Sequence, residues 1–193
     1  MSKKIIVEIS ARHVHLSQAD IEVLFGAGAT LTWKRDLSQP GQFLCEERVT
    51  LIGPKGTFER IAVLGPARKD TQVELSFTDA RALGVEAPIR ESGDIKDSSA
   101  IEIKGTVGSV KIAEGVIIAK RHVHITPEDA EKFGVSDKQI VKVKVGGARS
   151  LIYDEVVIRV NSSFQTRMHI DFDEANAAGI SGETEGEIII CSC

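Results

Sequence analysis

The stretch Arg-His-Val-His occurs twice, at residues 12–15 and 121–124, and takes four of the five histidines in the chain. In an extended strand, side chains at i and i+2 point to the same face, with Cα atoms about 6–7 Å apart. His13 and His15 can therefore converge on one metal ion, and His122 and His124 on another. Val14 and Val123 then face the opposite side and anchor each strand in a core. A single His-x-His is more often just two polar residues on an exposed strand. Two copies with the same preceding arginine, the same valine and the same following helix-cap pattern, ARHVHLS and KRHVHIT, favour ligation. Neutral imidazole suits zinc, with other first-row divalent ions as alternatives. An ion held by three protein ligands keeps a position open for substrate, and Glu74 and His169 are the candidate third ligands. Spacing alone does not say which joins which pair.

A second group is LGPARKDTQVE, residues 64–74, where Arg68 precedes Glu74 by six positions. A guanidinium there is a fork for phosphate or carboxylate beside the metal. LSQPGQF, residues 37–43, reads as a turn whose backbone amides are available to a ligand. Cys45 has no histidine near it in sequence and reads as a packing residue, and Cys191 and Cys193 as a mobile tail. An odd count of three cysteines without a disulfide framework fits a reducing cytosol.

The elements that must position these residues are mostly strands. IIVEIS, RVTLIG, RIAVLG, AIEIKG, GSVKIA, GVIIAK, QIVKVKV, LIYDEVVIRV and EIIICS are short, rich in Val and Ile, and punctuated by Gly. That density favours barrels or sandwiches over a helical bundle. Between them, SQADIEVLFGAG, FTDARALGV, TPEDAEKFGV and DFDEANAAGI read as short helices with Ser, Thr or Asp at the start, acids in the first turn and Gly at the end. The segments just before them, HVHLS, VELSFT, HVHIT and MHIDFD, place His15, Glu74, His124 and His169 at strand ends ahead of a helix start. The matching copies around residues 11–27 and 120–135 indicate an internal duplication, with two related barrels meeting at a shared site. Residues 91–99, ESGDIKDSS, read as a polar loop or linker.

Composition narrows the function classes. A formal net charge of -4 and the lack of a long Lys/Arg run argue against a general nucleic-acid binder, so any bound anion is small and held locally. No stretch approaches the roughly 20 apolar residues of a membrane span. Among His-x-His enzymes, the amidohydrolase (β/α)₈ barrel takes about 250 residues and more helices than this chain offers. The cupin pattern needs a glutamate further along the strand, whereas Glu128 lies in the capped helix start TPED and the first copy has Ala19 at that offset.

The chain resembles the PduL-type phosphate propanoyltransferases, the phosphotransacylases associated with bacterial microcompartments. The resemblance rests on ARHVHLS, LSQPGQF, GPKGTFE, LGPARKDTQVELSFTDARALGVEAPIRESGD, EGVIIAKRHVHITPEDAEKFGV and MHIDFDEANAAGI, which cover nearly the whole chain. It implies a mainly β fold of two β-barrel domains capped by short α-helices, with the active site between the barrels. The resemblance makes residues 12–119 an inserted barrel and joins residues 1–11 to 120–193 in the other. It implies two divalent ions, usually zinc, one on His13, His15 and Glu74 and the second on His122, His124 and His169. It further implies that Arg68 is the phosphate-binding and catalytic residue and that Ile9, Ser10, Ala11, Lys55 and Asn176 contact coenzyme A. Where the family often carries a basic residue on the strand before LGP, this chain has Ala62, with Arg60 nearby. The implied reaction exchanges a short-chain acyl-CoA, propanoyl or acetyl, plus phosphate for acyl phosphate plus CoA. The implied assembly is a homodimer, associating with microcompartment enzymes or free in the cytosol. Microcompartment-targeted members tend to carry an amphipathic N-terminal extension, whereas this chain enters its first strand within about five residues, so a free cytosolic enzyme is the expectation. The rival readings are a metal-dependent hydrolase of acyl phosphates or thioesters, an acyl carrier at Cys45, and a non-catalytic metal-binding or shell-interacting protein.

Overall fold

Alternating apolar and polar residues build fourteen strands, and short capped segments build four helices, across residues 3–190, which are those described in this computed structural model. The CSC end falls outside the described residues. In chain order the first half holds β1 (Lys4–Ile9), β2 (His13–His15), α1 (Gln18–Phe25), β3 (Trp33–Asp36), β4 (Phe43–Ile52), β5 (Thr57–Gly65), β6 (Gln72–Leu75), α2 (Phe77–Leu83), β7 (Ile89–Arg90) and β8 (Ser99–Lys104). The second half holds β9 (Ser109–Ala119), β10 (His122–Ile125), α3 (Pro127–Phe133), β11 (Ile140–Val145), β12 (Leu151–Val160), β13 (Arg167–Ile170), α4 (Phe172–Ala178) and β14 (Thr184–Ile189). None of the helices is long and apolar enough to cross a membrane.

The described residues divide into two compact units, 3–11 with 120–190, and Arg12–Ala119. Each is a closed six-stranded barrel. The first runs β1-β13-β10-β12-β11-β14 and closes through the antiparallel pair of β14 with β1. The other runs β9-β6-β2-β5-β4-β8 and closes through the antiparallel pair of β8 with β9, leaving β3 and β7 as appended edges. The sequence of parallel and antiparallel pairs is the same in both: β1 and β13 match β9 and β6, β13 and β10 match β6 and β2, and so on round the ring. The duplication expected from the two RHVH copies is therefore present in the strand order. One strand of the pattern is displaced along the chain: β1 does for its barrel what β9 does for the other.

Two apolar cores fill the barrels. Val123, Ile125, Met168 and Ile170 point into one, together with Ile5 and Val7. Val14, Leu16, Val63, Val73 and Val116 point into the other. Each fully buried aliphatic side chain contributes about 1.5–3 kcal/mol of transfer free energy. Because side chains alternate along a strand, the histidines flanking Val14 and Val123 lie on the outer faces of their barrels. This is the placement the sequence predicts for those two valines.

The helices begin where the strands that carry the site end. Ser17, Ser76, Thr126 and Asp171 are the N-caps, and their side chains accept hydrogen bonds from the backbone N–H three residues on, each worth about 1 kcal/mol. For α2 the cap is Ser76, one residue ahead of the FTDARALGV segment quoted above, because Ser76 and Asp79 form a reciprocal capping box. The arginine of each RHVH pairs with the third residue of a helix in its own unit. Arg12 bonds Asp79 of α2 and lies 4.7 Å from the Phe58 ring centroid, while Arg121 bonds Glu174 of α4 at 2.9 Å and stands over Tyr153. Each arginine thus ties the His-Val-His strand to the helix that follows the third candidate ligand. Two Gly-x-x-Gly turns seat the opposite helix ends. A Cβ at Gly53 would meet the Leu83 carbonyl oxygen at 2.3 Å, and one at Gly105 the Leu24 carbonyl oxygen at 2.3 Å.

The strands differ from the sequence reading in two places. GSVKIA and GVIIAK are one strand, β9, which continues through Gly115 at φ 141°. Trp33–Asp36 forms a strand although all four of its residues are exposed, so no alternation marks it. The polar stretch read as a loop or linker is a loop: residues 91–98 join β7 to β8 within Arg12–Ala119.

Candidate functional site

β2 and β6 run antiparallel with His13 directly opposite Glu74. His13 Nε2 lies 3.5 Å from Glu74 Oε2, and His15 Nε2 lies 4.0 Å from Glu74 Oε1. All three side chains are buried. Burial lowers the His15 pKa well below its ordinary value, with the neighbouring His13 and Arg68 acting in the same direction, so its imidazole is neutral and its lone pair is available. Burial alone would raise Glu74, but His13, His15 and a hydrogen bond from Ser92 outweigh it and hold the carboxyl well below the usual carboxylate range. A carboxylate and a neutral imidazole are donors a zinc ion takes. Donors sharing one tetrahedral ion at 2.0–2.1 Å stand about 3.3 Å apart, close to the separations found here.

β13 lies antiparallel to β10 with His169 opposite His122, and His124 is two residues along on the same face. The three ring centroids are 4.6, 5.3 and 4.9 Å apart. His122 Nδ1 is 2.8 Å from the Lys120 carbonyl oxygen. A carbonyl only accepts, so that nitrogen carries the proton and Nε2 keeps the lone pair. The Phe164 ring packs 4.2 Å from the His124 ring. In each cluster, one donor atom from each of the three residues lies within 4.8 Å of the others. The pairing that spacing left open is thus resolved as proximity: Glu74 stands with His13 and His15, and His169 with His122 and His124.

Arg68 reaches the first cluster through a relay. Its Nη1 donates to Ser92 Oγ at 3.1 Å, and Ser92 Oγ donates to Glu74 Oε1 at 2.7 Å. Gln72 Nε2 donates to the same Glu74 oxygen at 2.6 Å, and Gln72 Oε1 accepts from the Gly93 N–H at 2.7 Å, which pins the loop. The sequence reading passed over both residues. Gln72 stands two positions before Glu74 in a strand and so shares its face, a signal that was available. Ser92 lies in a polar loop, and nothing local distinguishes it.

Comparison with known proteins gives these clusters a context. The family model described as phosphate propanoyltransferase matches residues 6–181. A phosphate propanoyltransferase of Clostridioides difficile is 56% identical over 183 residues, covering 95% of this chain and 88% of the relative. One from Listeria monocytogenes is 53% identical over 95% of this chain and 86% of its own length, and one from Thermotoga maritima 55% identical over 90% and 83%.

The chain belongs to the phosphate propanoyltransferase family. It is thereby an acyltransferase.

The other residues to which the family resemblance drew attention are spread through the fold. Ile9 ends β1, with Ser10 and Ala11 following, and the Ser10 N–H donates to the Ile170 carbonyl at 2.8 Å. Asn176 lies on α4. Lys55 lies in the turn against the C-terminal end of α2, its backbone N–H donating to the Leu83 carbonyl at 2.9 Å, so it stands at the far end of that helix from Glu74. Ala62, where the family often has a basic residue, is the strand neighbour of His13 on β5. In the LSQPGQF turn the Leu37 and Gln42 amides are engaged internally, with the Gln42 and Gln39 carbonyls, so they do not face a ligand. Cys45 is fully buried, as a packing residue should be, and burial pushes its thiol up to about 12.

Proposed function

We propose that this chain transfers a short acyl group, propanoyl or acetyl, between coenzyme A and phosphate with the aid of two zinc ions. His13, His15 and Glu74 hold one ion, and His122, His124 and His169 hold the other. The observation that carries the reading is the pair of three-donor clusters, buried except for the half-buried His169, in a chain that matches the transferase family along nearly its whole length. When bound, zinc supplies Lewis acidity toward carbonyl or phosphoryl oxygen and favours the thiolate form of a coordinated thiol.

The residues of the chain do the rest. Arg68, a planar fork that is always charged, clamps the phosphate or the phosphoryl end of the acyl phosphate. Ser92 aims that guanidinium toward the Glu74 cluster. Ile9, Ser10, Ala11, Lys55 and Asn176 bind the coenzyme. In the direction of acyl phosphate synthesis, a phosphate oxygen bonds to the thioester carbonyl carbon and the carbon–sulfur bond breaks. The sulfur departs with the electron pair, and the proton released by phosphate balances the charge on the thiolate. Holding both substrates in one geometry removes much of the entropic barrier. No protein nucleophile is needed, and a buried Cys45 thiol with so high a pKa is unsuited to be one.

The test is release of CoA from propanoyl-CoA with and without phosphate. Transfer requires phosphate and yields propanoyl phosphate in equal amount. CoA release that is indifferent to phosphate would assign the chain to hydrolysis instead.

A further inference from the structure

The duplicated barrels place residues at equivalent positions, and beside the third donor one pair changes from an apolar residue to a carboxylate. In the Arg12–Ala119 barrel the row across β2, β6 and β9 is His13, Glu74, Ile117. In the other barrel the row across β10, β13 and β1 is His122, His169, Glu8. Ile117 is fully buried and apolar, whereas Glu8 is a carboxylate on the outward face of β1, directly beside the third donor. Its Oε1 lies 3.5 Å from His169 Nδ1. Its other oxygen accepts from Arg167 Nη1 at 3.1 Å, and that same nitrogen donates to Glu183 Oε1 at 2.5 Å.

We propose that Glu8 is a positioning residue for His169: its carboxylate accepts the Nδ1–H, fixes the tautomer and ring angle, and leaves Nε2 as the donor toward His122 and His124. The inference rests on reading that cluster as a metal site. A carboxylate behind a ligating imidazole also raises the basicity of the ligating nitrogen. Arg167 is the anchor that keeps Glu8 aligned. The two clusters then achieve the same end differently. Glu74 is steadied by Ser92 and Gln72, and the imidazole that replaces it in the second repeat is steadied by a carboxylate from the strand that replaces β9. His122, steadied by the Lys120 carbonyl, follows the same logic.

The experiment is a zinc titration of the metal-free full-length chain in competition with a chromogenic chelator, for the wild type, Glu8→Ala, Glu8→Gln and Glu183→Gln, with thermal unfolding of each metal-free protein alongside. The wild type is expected to take two ions. Glu8→Ala is expected to hold one of them about 10–100-fold more weakly, with the unfolding of the metal-free form unchanged. Glu8→Gln keeps an acceptor oxygen without the charge and should fall between, and Glu183→Gln should match the wild type. Wild-type affinity for both ions in Glu8→Ala and Glu8→Gln overturns the role of Glu8 and leaves the metal reading intact, as does a loss of metal-free stability with affinity unchanged. If Glu8→Ala does not fold, Glu8→Gln decides alone, and wild-type affinity there overturns the proposal. A wild type that takes fewer than two ions overturns the metal reading itself.

Discussion

Glu74 sits buried among imidazoles, and its oxygens are held by Gln72 and Ser92 as well as by the histidines it faces. Ser92 also receives the Arg68 guanidinium, so one hydroxyl serves both the donor cluster and the phosphate residue. Ser92→Ala is accordingly expected to weaken one zinc ion by about 10–100-fold and to lower kcat/KM for phosphate. Arg68→Ala should act on phosphate alone: losing a charged hydrogen bond of about 1.5–3 kcal/mol raises the KM for phosphate roughly 10–150-fold, with zinc content unchanged by metal analysis. Cys45→Ala should keep turnover within about twofold while losing about 1 kcal/mol of stability from the vacated core space. A collapse of turnover there would revive an acyl-enzyme route. The donors themselves were legible in the sequence because i and i+2 on a strand share a face and the motif repeats. Ser92 and Glu8 were not, since one lies in a loop 18 residues from Glu74 and the other meets His169 only through pairing of β1 with β13.

At the scale of elements, the site depends on short strands that deliver donors and on short helices that start immediately after them. The helix starts were readable from Ser, Thr and Asp caps, and the glycine ends from Gly84, Gly134 and Gly179 in the left-handed conformation. β3 is not readable, because WKRD has no buried face, and β9 is interrupted in the sequence by a glycine that the strand absorbs. Gly53→Ala and Gly105→Ala should each destabilise by about 1–3 kcal/mol or more, since the added methyl would strike a helix carbonyl, and denaturant midpoints would show it. Glu174 offers a pH test. Burial raises its pKa from 4.5 to about 7, opposed without being cancelled by the hydrogen bond from the Asp171 N–H and by Arg121. The folded state then binds this proton more tightly than the unfolded chain. Its contribution to stability is full below pH 4.5 and is lost as pH climbs toward and through 7. Glu174→Gln keeps the capping acceptor and should flatten the unfolding midpoint over that window. An unchanged pH profile would contradict the raised pKa.

At the scale of the whole molecule, two barrels with one pairing pattern each present a trio of donors on the outer face of the barrel wall. The strand order explains why the sequence showed duplication so plainly at RHVH and so faintly elsewhere. The barrel interiors need only apolar residues of suitable volume, whereas the donor rows need particular side chains at fixed registers. Glu74 against His169, and Ile117 against Glu8, show the copies diverging even within those rows. If both trios bind metal only in the folded chain, zinc at a hundred times its Kd should add about 2.7 kcal/mol per site to stability, seen as a Tm that rises with zinc. The most direct test of the central claim is to titrate zinc into the metal-free chain and follow phosphate-dependent propanoyl phosphate formation against ions bound. The account predicts negligible transfer without metal and a plateau at two ions per chain. Full transfer in the metal-free protein, or a plateau reached before a second ion binds, would contradict it.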